Sequence, residues 1–315
     1  MQKNESKNLA GSDHIWLPLR LNEIPQETIK VVNTVIDQIP DLPLSVNKII
    51  EMASDEDCDL GKLVELVSSD PMLVSNILRV VNSSYYGLSH KTDNIQLAIV
   101  LLGFKEIRKI TLKSYVSRTL STEKTLPSYD TKQLWEHSYL VSTCTESFSS
   151  EDDQQNRGVL LTLGLLHDIS KFALYDIAML MKKRGIEPQE KKDLSESPYL
   201  LEKEEGLFGV NHTIIGGLLA RKWNLSERFI SVLECHHYPS FFEISEIPTE
   251  YEKEISIICI SDLIVNRFSK IKNYLPEPHP HFFDVLGLNP PLENIINEQL
   301  MKKLEDAKNF VSILT

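Results

Sequence analysis

From about residue 26 onward, apolar positions recur every three or four residues, and the pattern rarely stops. Its clearest segment follows Ser69-Asp70-Pro71. The Asp70 carboxylate can accept the free N–H groups of a first helical turn, and Pro71 suits the first helical position, where no N–H is needed. Leu73, Ile77, Val80 and Val81 then share one face, and Asn82-Ser83-Ser84 with Gly87 close the segment. A second helix is expected from Asp93, with Gln96 placed three residues on as in a capping box. Ile95, Ile99 and Leu102 form its stripe, Gly103 can stop it in a left-handed turn, and Phe104, Ile107 and Ile110 open a third helix. No alternating strand pattern persists and only 12 residues are glycine, so the chain reads as all-α.

Punctuation divides the pattern. Residues 1–25 read as a polar, poorly ordered tail carrying Trp16 and Leu17, and residues 26–124 as an N-terminal helical subdomain. The stretch STEKTLPSYDT, from Ser121 to Thr131, is polar, contains Pro127 and marks a boundary. A second helical subdomain runs over 132–270. Inside it, residues 183–206 are charged, contain Pro188 and Pro198, and read as a long loop or lid. Residues 271–315 form a C-terminal extension, proline-rich at PEPHPHF and weakly helical from about 291.

Composition narrows the function classes. The 315 residues are 42% hydrophobic and 25% charged, enough to bury a core, and the net charge is −12. A net acidic chain argues against nonspecific binding to nucleic acid or anionic membranes. Cys58, Cys144, Cys235 and Cys259 form no C-x-x-C pair, and Cys144 and Cys259 sit among apolar helical neighbours as small core residues. That usage suits a reducing compartment. The first residues lack the apolar core of a signal peptide, and runs such as Ala98 to Leu102 fall far short of the roughly 20 residues a bilayer needs. A cytoplasmic location is therefore expected.

Seven candidate metal ligands lie in the second part: His137, His167, Asp168, His212, His236, His237 and Asp262. His137 shares a stripe with Val141, Cys144 and Phe148, and Asp262 shares one with Ile255, Ile258, Cys259 and Val265. A carboxylate on a buried face is costly unless it is paired or bound to a cation. His167-Asp168 follows an almost wholly apolar run from Leu160 to Leu166, and two adjacent helical residues can reach one ion placed between their directions. Imidazole and carboxylate donors together suit Fe, Mn or Zn, and carboxylate-rich variants suit Mg. Two such ions need a bridging carboxylate, for which Asp168 is the natural choice. Blander readings stand beside this one. A lone histidine on an apolar face is usually a hydrogen-bonded core residue, His236-His237 can be a helix end favoured by the dipole, and Asp262 can pair with a base. The joint occurrence of His137, His167, Asp168 and Asp262 favours one shared polar cluster.

The same stretches resemble the HDOD family. The matching segments are IPDLPLSVNKIIEMASD (39–55), SSDPMLVSNILRVVNSSYYGLS (68–89), IQLAIVLLGFKEIRKITL (95–112), LWEHS (134–138), LGLLHDISKFALYD (163–176), GLFGVNHTIIGGLLARKWNLSE (206–227) and ECHHYP (234–239). The resemblance implies an N-terminal helical subdomain packed on an HD-type bundle, similar in fold to HD and HD-GYP phosphohydrolases. It implies a bacterial signalling module, generally non-catalytic and sometimes linked to cyclic dinucleotides. It would make His137, His167, Asp168 and Asp262 ligands of a first divalent ion, with His212, His236 and His237 around a second and Asp168 between them. Lys171 matches the lysine that contacts phosphate or the attacking water in the enzymes, so Asp168 and Lys171 would be the catalytic pair of an active hydrolase. Ser170 stands where that motif carries glycine, Tyr238-Pro239-Ser240 replaces the GYP signature, and Gln133 stands where some enzymes place a glutamate.

Two functions follow. One is a regulatory module that acts on a signalling protein partner, with a nucleotide second messenger as a further candidate ligand and no membrane role. The other is a metal-dependent phosphohydrolase acting on a nucleotide or cyclic dinucleotide. The missing GYP segment favours the first. A weaker third reading takes the helices around Gly103 as a DNA reader, with Lys105, Arg108, Lys109 and Lys113 facing phosphate, and the acidic total stands against it.

Overall fold

The computed structural model describes residues 17–52, 59–119, 130–148, 154–186, 199–241, 244–270 and 276–314. Among them the chain is a succession of helices with no β-strand, as the periodicity predicts. In order these are α1 (Gln26–Gln38), α2 (Leu44–Met52), α3 (Leu60–Ser68), α4 (Pro71–Val81), α5 (Ile95–Leu102), α6 (Phe104–Thr119), α7 (Thr131–Thr145), α8 (Gln154–Leu166), α9 (Leu174–Lys183), α10 (Leu200–Phe208), α11 (His212–Lys222), α12 (Glu227–Cys235), α13 (Tyr238–Phe241), α14 (Glu252–Phe268), α15 (Pro280–Asp284) and α16 (Glu298–Leu314).

Local chemistry sets the boundaries. Asp70 caps α4 by accepting from Met72 N and Leu73 N, and Pro71 occupies the first turn. At the other end the Asn82 side chain grips the returning loop, donating to Thr92 O and accepting from Thr92 N, each at 2.8 Å. The next cap is Asn94, one residue beyond the expected Asp93. The Asn94 side chain accepts from Leu97 N at 3.0 Å, and the Thr92 hydroxyl accepts from Asn94 N, so the turn is wound one position later. Gly103 ends α5 at φ 78°, a conformation that disfavours any side chain.

Three expectations change. The polar tail gives way before residue 26: Pro18 and Ile24 are buried, and Leu19 N donates to Glu205 at 2.8 Å. The charged 183–206 segment is a loop only in part, because α10 begins at Leu200. Its Leu201, Glu202 and Glu204 are buried, the acids having partners that a count of charges does not reveal. The C-terminal extension carries the full helix α16, which packs on α7 with Phe310 against Tyr139 and buries Leu300 and Leu304. The expected boundary at 121–131 lies almost wholly outside the described residues, as does Cys58.

The bundle is built around α7 and α14, whose residues are buried on nearly every face. α7 packs on α8, α14 and α16, α11 packs on α12, and α6 meets α8. The first helices group separately, with α2 and α4 on α6 and α3 on α5, as a helical layer on the main bundle. One junction joins the layers. Pro40 O accepts from Tyr115 Oη of α6 at 3.0 Å and from Trp223 Nε1 at the end of α11 at 3.1 Å. The Lys222 ammonium closes the C-terminus of α1, donating to Ile36 O at 2.7 Å and Asp37 O at 2.9 Å. Arg108 and Lys109, which the DNA-reading alternative needs at the surface, are buried. Arg108 Nη1 donates to Gly158 O at 2.7 Å, and the Lys109 ammonium lies 4.1 Å from the Tyr139 ring centre.

α7 and α8 approach so closely at Gly164 that a Cβ there would lie 2.6 Å from Ser142 Cα. Helices at that separation tolerate no side chain on one partner. Gly164→Ala is therefore expected to cost about 1–3 kcal/mol by overpacking, read as a lower urea midpoint at unchanged slope. An unchanged midpoint would contradict this packing.

A buried histidine–aspartate centre

Seven side chains from five places meet inside the bundle. α7 supplies His137, the end of α8 supplies His167 and Asp168, and α11 opens with His212. The turn after α12 supplies His236 and His237, and α14 supplies Asp262. None is more than 8% exposed, and His167, His212 and His236 are fully buried. The donors fall into two sets, each mutually within 4.8 Å and so able to hold a metal ion. One is His137, His167 and Asp262, and the other is Asp168, His212, His236 and His237.

Asp168 stands between the sets. Its Oδ2 faces His167 Nε2 at 3.4 Å and His137 Nε2 at 3.7 Å. Its Oδ1 faces His212 Nε2 at 3.2 Å and His236 Nε2 at 3.9 Å. Asp262 completes the first set, with Oδ1 2.9 Å from His137 Nε2 and 2.8 Å from Asn266 Nδ2, and with Oδ2 3.9 Å from His237 Nδ1.

The backbone fixes the imidazole tautomers. His167 Nδ1 lies 2.9 Å from Gly164 O, and His236 Nδ1 lies 3.1 Å from Leu233 O. A carbonyl only accepts, so each Nδ1 carries the proton and each Nε2 presents a lone pair to the centre. His212 obeys the same rule through Glu204, whose Oε2 lies 2.7 Å from its Nδ1 and accepts from its backbone N at 2.8 Å. The outcome is two Nε2 atoms, of His212 and His236, 3.3 Å apart, with lone pairs converging. Only a shared proton or a cation reconciles them. Further polar atoms are buried without a hydrogen-bond partner among the described residues: His137 Nδ1, His167 Nε2, Asp168 Oδ1 and His237 Nε2.

Charge points the same way. The carboxylates Asp168, Asp262 and Glu204 are buried with one ammonium, Lys171, whose Nζ lies 2.6 Å from Asp168 Oδ2. Burial works against the charged form of Asp168, but the adjacent His167 and Lys171 hold its carboxyl well below the usual range. Burial, then the neighbouring imidazoles, push His236 and His237 well below theirs, so both stay neutral donors. For His212, burial is outweighed by Glu204, and its value rises. Ser170, in the place of the motif's glycine, donates to His212 O at 2.6 Å and so braces the first turn of α11.

Sequence reading missed Glu204 and Glu205, both assigned to the charged segment. Glu204 orients His212. Its neighbour Glu205 accepts from Asn211 Nδ2 at 2.6 Å, and Asn211 in turn caps α11 by accepting from Thr213 N and Ile214 N. One signal was available: an E-E pair seven residues before N-H, at the start of an apolar helix.

The class is thus an all-helical protein whose core encloses a two-lobed histidine–carboxylate centre. The chain belongs to the HDOD domain family, whose model matches residues 39–239, more than half of its length. It is 25% identical over 247 residues to an uncharacterized protein of Treponema pallidum, covering 77% of this chain and 46% of that one, so the chain spans about half the length of this curated relative. A candidate signal transduction protein from Marinobacter aquaeolei is similar in fold, with TM-score 0.69 at 16% identity, covering 91% of this chain and 66% of that one. A candidate metal-dependent phosphohydrolase from Shewanella amazonensis is also similar in fold, with TM-score 0.55 at 16% identity, covering 91% and 98%. Among the described residues one helical stretch, 157–183, is long and apolar enough to span a membrane, and 89% of its most apolar window is buried inside the protein.

Glu205 supplies a pH test. Burial pushes its carboxyl up to about 7, above the ordinary carboxyl value. A group whose folded-state value is raised contributes stability that is present below the unfolded value and lost as pH rises through the folded one. Glu205→Gln keeps an acceptor and a similar shape but does not titrate. The variant should gain on the wild type as pH rises from about 4.5 to 7, by up to ~2 kcal/mol, and run parallel above that. Urea midpoints at four pH values check this, and a constant difference would refute it.

Proposed function

We propose that the chain is a bacterial HDOD signalling module acting on a protein partner, with a divalent metal centre serving as a structural element and not as a site of turnover. The observation that carries this reading is closure: no donor of the centre is more than 8% exposed. In-line attack on a phosphoryl group requires the phosphate to reach the metal-bound water and Lys171. Here Lys171 is buried and committed to Asp168.

The donor set fits a metal. His137, His167 and Asp262 would hold one ion, His212, His236 and His237 a second, and Asp168 would offer one oxygen to each. A mixed imidazole and carboxylate set suits Fe, Mn or Zn above Mg. Bound metal would supply the positive charge that three buried carboxylates and one ammonium leave wanting, and would join α7, α8, α11, α12 and α14 at one point. The interaction surface has support of its own. Leu97, Val100 and Leu101 on the outer face of α5 are 45%, 58% and 41% exposed, an apolar strip of the kind that partners cover.

A phosphohydrolase is the second reading, favoured by the bridging position of Asp168 and by Lys171 one turn on. The two separate in one experiment. Protein purified without chelators is analysed for metal, then assayed against cyclic dinucleotides and simple phosphodiesters beside Asp168→Ala. The module reading expects bound metal and no turnover above the variant. Turnover abolished by the variant overturns it. Glu204→Gln should weaken metal binding by about 10–100-fold, because it removes the charge that orients His212, and competition with a chromogenic chelator would measure the change.

A further inference from the structure

A second cluster of charge, distant in sequence from the centre, lies between α4 and α6. A cleft of about 300 Å³ opens there, lined on its polar side by Asn76, Arg79, Lys113, Ser114, Ser117 and Arg118. Among the described residues that lining has three cations and no carboxylate, in a chain with net charge −12. The acid beside it, Asp70, is already engaged: its Oδ2 lies 2.8 Å from Arg118 Nη2 and its Oδ1 caps α4.

Lys113 makes the cleft more than a basic surface. Its ammonium nitrogen is buried, although the residue as a whole is not, and it has no hydrogen-bond partner among the described residues. Burial, and then the like charges of Arg79 and Lys132 among the described residues, push the ammonium down to about 8. An ammonium placed this way is costly unless an anion meets it. The rest of the lining is arranged to donate. Asn76 Nδ2 donates to Ser114 Oγ at 3.2 Å, so the Ser114 hydroxyl keeps its own proton to give. Arg79 Nη2 is steered toward Asn76 Oδ1 at 3.3 Å, and Arg118 Nε is anchored on Ser114 O at 3.1 Å. Two guanidinium groups, an ammonium and two hydroxyls around one small cleft match the acceptor-rich surface of a phosphate dianion. Val80 and Ile110 add apolar wall, and the volume is at the lower end for a small-molecule site.

We propose that the α4–α6 cleft is a binding site for a phosphoryl group, either free phosphate or the phosphate of a small monoester, with Lys113 at its base. The site is independent of the histidine–aspartate centre. Arg118 meets the anion from the rim, where it also pairs with Asp70, the cap of α4.

Calorimetric titration tests this on the full-length protein as purified, at low salt, with inorganic phosphate and adenosine monophosphate as separate probes. Saturable, salt-sensitive binding is expected at roughly millimolar affinity or better. Lys113→Gln should weaken it at least about tenfold, and Ser117→Ala, on an exposed residue, a few-fold. Lys113→Gln should melt no lower than the wild type without ligand, because it removes an uncompensated buried charge. Lys182→Gln, at an exposed position of α9 outside the cleft, should bind as the wild type does. Tighter binding of the nucleotide assigns the ester, and equal binding assigns free phosphate. Failure of both probes to saturate, unchanged binding in Lys113→Gln, or loss of binding in Lys182→Gln overturns the site.

Discussion

Two carboxylates, Asp168 and Asp262, lie 2% and 3% exposed at the middle of a helical bundle, and the surrounding structure answers the cost of burying them. Five segments deliver a histidine, a lysine or an amide to these two groups. Each delivery depends on an ordinary piece of helix chemistry. Gly164 lets α8 approach α7 and lends its carbonyl to His167. Asn211 caps α11 so that His212 sits in the first turn, and Leu233 O sets His236 at the end of α12. The bundle and the centre are therefore one construction, in which moving a helix moves a donor.

The centre is also tied to the outer layer. α11 begins at the donor His212 and ends at Lys222 and Trp223, which hold the carbonyls at the end of α1 and the Pro40 turn. α6 reaches the same turn through Tyr115. A single helix thus runs from the histidine–aspartate cluster to the layer that carries the exposed face of α5. That continuity physically connects the interior centre with the layer that bears α5, which is what the proposed module would need.

The helical architecture was legible because its determinants are local. Asp70-Pro71, Gly103 and the apolar stripes act within one or two turns, and the structure places each where the pattern predicts. Asn94 displaced Asp93 as a cap because the deciding contact comes from Thr92, whose own position is set by Asn82 ten residues earlier. The seven donors stood out because histidine and aspartate on apolar stripes are conspicuous. Their convergence is tertiary, and only the family resemblance gave it an order. Glu204 and Glu205 escaped notice for the opposite reason. In a segment dense with charge, nothing local distinguishes a buried glutamate with an imidazole partner from a solvated one. Lys113 was legible as a base of α6 that could face phosphate, but the burial of its ammonium in a cleft shared with α4 is tertiary.

Anomalous diffraction from crystals grown with Mn²⁺ would read the proposed metal centre itself. Two peaks flanking Asp168, about 3.5–4 Å apart, are expected, one beside His137, His167 and Asp262 and the other beside His212, His236 and His237. A map with no peak among these side chains, and with the Lys171 ammonium still on Asp168 as the only cation there, would contradict it.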